Sequence, residues 1–152
     1  DFPQNITQVH FIKLRLFDTK GKEVANTFYW RSNDKYEGRK TLTGPTSSGF
    51  EDLSKLKQVQ LKTRYQTYQE GDRHFIKAEI KNPSSTVAFF TQLQLLGQDK
   101  KPVRPSFYTD NFFSLLPGES KTVIIETAAS DMPSEPTFVV KGWNIKPSSF
   151  KL

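Results

Sequence analysis

The segment HFIKAEIK, residues 74–81, decides the fold class of this 152-residue chain. Ile76 and Ile80 alternate with Lys77 and Lys81, and the turn Asn82-Pro83-Ser84 ends the run. Apolar and charged residues that alternate with a period of two are typical of a β-strand with one buried face and one solvated face. The segment therefore predicts a β-sheet protein.

The same alternation recurs on both sides of this segment. It predicts seven short strands separated by turns: Gln58–Tyr68, His74–Lys81, Val87–Leu96, Val103–Tyr108, Phe112–Leu115, Lys121–Thr127 and Thr137–Asn144. Seven short strands in about a hundred residues are typical of an immunoglobulin-like β-sandwich. The residues expected to point inward are Val59, Leu61, Ile76, Ile80, Phe89, Leu93, Val123, Ile125, Val139 and Trp143.

A β-hairpin and one short helix are predicted before the sandwich. Val9–Phe17 and Val24–Trp30 flank the turn Asp18-Thr19-Lys20-Gly21, in which Gly21 suits the left-handed conformation. Ser48-Gly49-Phe50-Glu51 fits a capping box that would begin the helix. The hairpin is one strand pair too many for the sandwich. We therefore expect 1–30 to be the last hairpin of a preceding domain, 31–49 a linker and 50–152 the sandwich.

The composition excludes several kinds of chemistry. The absence of cysteine excludes disulfides, thiolate catalysis and Cys-based zinc sites. The two histidines, His10 and His74, lie within predicted strands, and neither is next to a nucleophile signature. The chain has no phosphate-binding glycine loop and no calcium loop. We expect no catalytic residue, no cofactor and no metal in this chain.

The net charge of +6 raises the question of nucleic-acid binding. Phosphate binding needs Lys and Arg concentrated on one surface. Here the basic residues alternate with apolar ones, as in Lys62/Arg64 and Lys77/Lys81, which is how a solvated sheet face stays soluble. No apolar run approaches the roughly 20 residues of a membrane span. We expect neither a nucleic-acid partner nor a membrane partner.

Aromatic residues beside amide and carboxylate groups allow two interpretations. Rings stack on the C–H faces of sugars while polar groups bind the hydroxyls, so Tyr108, Asp110, Asn111, Trp143 and Asn144 are candidate contacts to carbohydrate or to another domain. The same rings also suit the core of a sandwich, where burying one contributes roughly 1.5–3 kcal/mol. The core interpretation predicts that Trp143 is buried, and that its truncation to Ala costs roughly 3–5 kcal/mol.

Three motifs in order resemble a known family. Tyr108-Thr109-Asp110-Asn111-Phe112-Phe113-Ser114-Leu115-Leu116-Pro117-Gly118-Glu119, followed by Gly142-Trp143-Asn144, is similar to the C-terminal sandwich domain of family 2 glycoside hydrolases, in the β-mannosidase and exo-β-glucosaminidase branch. Asn26-Thr27-Phe28-Tyr29-Trp30 resembles the end of the immunoglobulin-like domain before it. Phe50–Leu56 resembles the segment that opens the last domain.

The resemblance implies an accessory domain of a larger, exported enzyme. The family's two catalytic Glu residues work by retention in an upstream barrel, and neither matches a position in this chain. Three hypotheses follow: a domain that braces the catalytic barrel and edges its cleft, a carbohydrate-binding module, or a protein-interaction sandwich. A buried Trp143 would favour bracing, and a solvent-facing Trp143 beside Asn111 would favour the module. In the isolated chain, residues 1–30 are also expected to dock on the sandwich or to form a homodimer.

Overall fold

A computed structural model describes residues 6–33 and 49–152 of the chain. The described chain is almost entirely β, with ten strands and two short 3-10 helices, Glu51–Lys55 and Ala129–Asp131. It divides into two compact units, Asp1–Leu56 and Lys57–Leu152. The strands are β1 Val9–Phe17, β2 Glu23–Ser32, β3 Lys62–Glu70, β4 Arg73–Lys81, β5 Ala88–Leu96, β6 Ser106–Tyr108, β7 Phe113–Leu115, β8 Ser120–Ala128, β9 Thr137–Lys141 and β10 Ser148–Lys151.

In the first unit, β1 and β2 form an antiparallel two-stranded sheet of their own. The predicted turn between them is confirmed: Gly21 has a φ of 76°, and its N–H donates to the Asp18 carbonyl at 3.0 Å. The Asp18 side chain also accepts hydrogen bonds from the backbone N–H groups of Lys20 and Lys22. On the predicted apolar face of the hairpin, Leu14 and Leu16 are exposed and Ile12 is half-buried.

The short helix differs from its prediction. It is a single 3-10 segment, Glu51–Lys55, with Phe50 at the N-cap position and no side-chain cap hydrogen bond. The predicted capping box is therefore wrong in its cap residue, because the helical turn begins later than Ser48 would require. Ser48 itself lies outside the described residues, as does most of the predicted linker, 31–49.

The second unit is a sandwich of two four-stranded antiparallel sheets. One sheet has the strand order β10-β9-β5-β7 and the other has the order β3-β4-β8-β6. The seven predicted strands are all present, and β10 is an eighth that the sequence interpretation missed. Each sheet turns one apolar face inward, which builds a single core from both.

Eight of the ten residues predicted to point inward are buried: Val59, Leu61, Ile76, Ile80, Phe89, Leu93, Val123 and Ile125. Val139 and Trp143 are not. In the last predicted strand Phe138 and Val140 fill the core, so the inward set is shifted by one residue. The run Phe138-Val139-Val140 is apolar at every position, and its alternation therefore does not determine which residues face inward.

Candidate functional site

Asn111, a candidate sugar contact, instead holds the edge of a sheet together. Its Oδ1 accepts a hydrogen bond from the Leu93 N–H at 2.8 Å, and its Nδ2 donates to the Leu93 carbonyl at 3.0 Å. The side-chain amide thus replaces a neighbouring strand opposite Leu93. Its hydrogen-bonding groups are directed into the protein rather than towards a ligand.

Asn144 is buried and connects three parts of the chain. Its Oδ1 accepts from the Phe89 N–H at 2.8 Å, while its Nδ2 donates to the carbonyls of Lys57 at 2.9 Å and Val87 at 2.8 Å. The backbone carbonyl of Asn144 also accepts from the N–H of Val59 at 2.7 Å. Because a buried amide must satisfy its donors and acceptors internally, these bonds specify how the segments pack.

Tyr108 and Asp110 are likewise engaged within the domain. The Tyr108 hydroxyl accepts a hydrogen bond from the Leu95 N–H at 3.0 Å. Burial of the ring raises the pKa of Tyr108 above its ordinary value, although the Leu95 bond opposes this shift. Asp110 forms an ion pair with Lys121 and accepts a hydrogen bond from the Asn111 N–H at 2.7 Å. Four of the five candidate residues therefore have structural contacts.

Trp143 contradicts the prediction that it is buried. The residue is 60% exposed and lies just beyond the end of β9. The backbone N–H of Trp143 donates to the Phe89 carbonyl at 3.0 Å, which fixes the residue at the sheet end. The indole of Trp143 lies edge-on to the buried Phe89 ring, and the two ring centroids are 6.4 Å apart. The side chain that follows Trp143, Asn144, is the one that enters the core.

Trp143 is connected through the buried Phe89 ring to two further exposed aromatic residues. Phe89 lies 5.5 Å from Phe90, and Phe90 lies 5.7 Å from Phe112, centroid to centroid. Phe90 is 38% exposed and Phe112 is 51% exposed. We call the three exposed residues Phe90, Phe112 and Trp143 the aromatic patch. Phe90 lies in β5, Trp143 lies just beyond the end of β9, and Phe112 lies just before β7, at one end of the sheet that these strands share.

Two residues of the aromatic patch have a strained backbone. Phe90 has a φ of 58° and Phe112 a φ of 57°, in the left-handed region that bulky residues avoid. Such a conformation costs about 1–3 kcal/mol per residue. The surrounding bonds maintain it: the Phe90 N–H donates to Ser114 Oγ at 3.2 Å, and the Phe112 N–H donates to Asn111 Oδ1 at 3.1 Å. The strain at Phe90 coincides with an irregularity in the β5–β7 pairing.

The sequence interpretation missed Phe90 and Phe112, although a signal was present. Phe89-Phe90 and Phe112-Phe113 are adjacent pairs in or next to strands. Since successive side chains of a strand point to opposite faces, one ring of each pair must face outward. Phe89 and Phe113 are buried, and their neighbours Phe90 and Phe112 are exposed.

The described residues provide little support for catalysis or metal binding. In residues 6–33 and 49–152, no group of three or more His, Asp or Glu side chains could hold a metal ion. His10 lies in β1 and His74 in β4, both half-buried in strands. Nor does this described part contain a helix with the length and hydrophobicity needed to span a membrane.

A family model and curated proteins match most of the chain. The model described as "Exo-beta-D-glucosaminidase Ig-fold domain" matches residues 41–145. The exo-beta-D-glucosaminidase of Streptomyces avermitilis is 30% identical over 149 residues, which cover 91% of this chain and 16% of that protein. The enzyme of the same name from Amycolatopsis orientalis is 28% identical over 150 residues, 91% of this chain and 14% of that protein. The chain thus spans about a sixth of these relatives.

Solved structures share the fold. The crystal structure of the Amycolatopsis orientalis exo-chitosanase CsxA superposes with a TM-score of 0.83 at 24% identity, and the match covers 98% of this chain and 19% of that one. A structure of CsxA that describes its inhibition by a glucosamine-configured castanospermine gives a TM-score of 0.82 at the same identity and coverage. At this identity the likeness establishes a shared fold.

Proposed function

The chain belongs to the exo-β-D-glucosaminidase Ig-fold domain family, and from this premise we propose that it is a non-catalytic accessory domain of a retaining, exo-acting β-glycosidase. The match of the family model to residues 41–145 carries the proposal. The chain spans only 16% and 14% of the two curated relatives, which leaves ample length for a separate catalytic barrel. Both of these relatives are named exo-beta-D-glucosaminidases, which favours that activity over the β-mannosidase activity.

The role that we propose for the domain is to brace the catalytic barrel. Asn111, Asn144 and Tyr108 use their polar groups to bind backbone within the sandwich. A ligand-binding amide would instead direct its donors and acceptors to solvent. These internal bonds support a stable structural domain rather than a subsite for sugar hydroxyls.

A second candidate function, a carbohydrate-binding module, is favoured by the exposure of Trp143. An indole that is 60% exposed can stack on a sugar ring. The other four candidate residues are, however, bound internally, so the hydroxyl-binding groups that a module needs are committed elsewhere. We therefore rank this function below bracing.

We also propose that residues 1–30 complete a domain that precedes this one in a longer, exported polypeptide. Among the described residues, 6–33 and 49–152, β1 and β2 pair only with each other, and Leu14, Leu16 and Val24 are exposed. A two-stranded hairpin with such side chains gains stability when it joins a larger sheet. The export and the position after a barrel rest on the family resemblance of the sequence motifs.

The experiment is to compare the 152-residue chain with the polypeptide encoded by its whole gene. The gene should encode a barrel with two Glu residues at strand ends, and the full polypeptide should hydrolyse aryl β-D-glucosaminide faster than aryl β-D-mannoside. The 152-residue chain should hydrolyse neither. Turnover by this chain that survives repurification, or a gene without a barrel, would contradict the proposal. Binding of glucosamine oligomers that disappears in Trp143→Ala would favour the module instead.

A further inference from the structure

Two residues of the aromatic patch keep a strained backbone while remaining partly at the surface. Phe90 and Phe112 have left-handed backbones, and the two residues are 38% and 51% exposed. Neighbouring side chains maintain this arrangement, because Asn111 and Ser114 accept the N–H groups of the two strained residues. Strain that the surroundings impose in this way is characteristic of functional surfaces.

The geometry of the aromatic patch is poorly suited to sugars. Sugar stacking needs ring faces that lie flat along one surface, whereas here the ring planes are inclined by 53° between Phe90 and Phe112. Rings at such different angles form an uneven apolar surface. Surfaces of this kind fit the pockets of another protein surface, where exposed Trp and Phe act as anchors.

The charges near the aromatic patch indicate the character of the partner surface. Lys57 and Lys146 are exposed and lie beside Asn144, which follows Trp143: the Lys57 carbonyl accepts from the Asn144 amide, and Lys146 is two residues further along the chain. On the other side, Asp110 and Lys121 neutralise each other in an ion pair. Two exposed basic residues therefore lie near Trp143 along the backbone, and a surface that complements them would be apolar with an acidic rim.

We propose that the aromatic patch is the surface through which this domain packs against another domain of the same polypeptide, onto an apolar area with an acidic rim. The proposal rests on the proposed function, since it takes this chain to be one domain of a longer enzyme. The relatives support an intramolecular partner, because at least 84% of the length of each lies outside the region that this chain covers. The aromatic patch thereby identifies which face of the domain makes the bracing contact.

Hydroxyl-radical labelling with mass spectrometry tests the proposal without any substitution. The oxidation rates of Trp143 and Phe112 are measured in the 152-residue chain and in the full polypeptide. Phe107 provides the reference, because it is 56% exposed and lies on β6 in the other sheet. We expect Trp143 and Phe112 to be oxidised about fivefold or more slowly in the full polypeptide, with little change at Phe107. Unchanged rates at Trp143 and Phe112, or an equal fall at all three residues, would overturn the proposal.

Substitutions in the full polypeptide provide the second test. Phe112→Gly removes a ring and permits the positive φ, so the 152-residue chain should remain folded while its contact with the partner domain is lost. Trp143→Ala should act in the same way, and Phe107→Ala is the matched control. We expect limited proteolysis to release this domain at least about tenfold faster in the first two variants than in the control.

Other occupants of the aromatic patch would give different results. Dimerisation of the full polypeptide that Trp143→Ala abolishes would assign the surface to a second copy and overturn the proposal. Binding of glucosamine oligomers that Trp143→Ala and Phe112→Gly both abolish would assign it to sugar, with the same consequence. Hydrolysis of aryl β-D-glucosaminide is measured on the same samples. If the unmodified full polypeptide does not hydrolyse this substrate, the proposed function is refuted. The oxidation rates of Trp143 and Phe112 test the contact between the domains independently of that activity.

Discussion

The side-chain amide of Asn111 pairs with the backbone of Leu93 as a strand would, accepting from its N–H at 2.8 Å and donating to its carbonyl at 3.0 Å. Leu93 is fully buried in β5, so neither of its backbone groups has ready access to water. One side chain thus satisfies a donor and an acceptor at the position where β5 lacks a neighbouring strand on that side.

Asn111→Ala should therefore destabilise the sandwich. It leaves the Leu93 N–H and carbonyl without these partners, at a cost of about 1–3 kcal/mol. Asn111→Asp should cost more, because it places a carboxylate oxygen against the Leu93 carbonyl. Urea unfolding of the 152-residue chain measures both, with Gln98→Ala, at an exposed turn, as the control. Equal stability of Asn111→Ala and the control would show that the paired bonds contribute nothing.

Truncation of Asn144 should lower the free energy of unfolding more than truncation of Trp143 does. The sequence suggests the reverse order, because it predicts that Trp143 is a core residue. Trp143→Ala removes a side chain that is 60% exposed, so we expect a loss of unfolding free energy below about 1 kcal/mol. Asn144→Ala leaves the Phe89 N–H and the carbonyls of Lys57 and Val87 without their partner, and should cost at least about 2 kcal/mol. Thermal and urea unfolding of the two variants give the order directly. A larger loss for Trp143→Ala would restore the prediction that it is a core residue.

Gly142 cannot accept a side chain without movement of the β5 backbone. A Cβ at this position would lie 2.9 Å from the Phe90 carbonyl oxygen and 3.1 Å from that of Phe89. Gly142→Ala should therefore destabilise the domain by about 1–3 kcal/mol and shift the aromatic patch. Gly97→Ala is the control, because its Cβ would meet nothing closer than 3.4 Å. Unfolding curves that coincide for the two variants would argue against this close approach.

These residues show which parts of the molecule the sequence could predict. Alternation predicted the strands because a period of two specifies a half-buried strand locally, as in His74–Lys81. It failed at Phe138-Val139-Val140, where a continuous apolar run leaves the inward face to be decided by tertiary packing. The roles of the asparagines were beyond such reasoning. Asn144 bonds Lys57 and Val87, residues far away in sequence, and only the assembled sandwich brings them together.

Deleting residues 1–30 should leave the sandwich folded. The hairpin forms its own two-stranded sheet, and the second compact unit, Lys57–Leu152, contains both sheets of the sandwich. We expect the truncated chain to unfold in one sharp transition with the β-sheet circular-dichroism signal retained. Sedimentation before and after the deletion tests whether residues 1–30 also form a homodimer, which should then disappear. An unfolded truncated chain would mean that the hairpin is integral to the sandwich.

Tyr108 should make the domain sensitive to alkaline pH. Burial raises its pKa in the folded state above the ordinary value of 10.0, so the folded chain retains the phenolic proton more tightly than the unfolded chain. The resulting stability is fully present below pH 10 and is lost as the pH rises through the folded-state pKa.

Tyr108→Phe should remove this part of the alkaline loss. At neutral pH it should also cost about 1 kcal/mol or more, because the Leu95 N–H loses its acceptor. Urea unfolding at pH 8 and above pH 10 measures both effects, with Tyr68→Phe, at an exposed tyrosine, as the matched control. An alkaline loss as steep in Tyr108→Phe as in Tyr68→Phe would contradict the assignment to Tyr108.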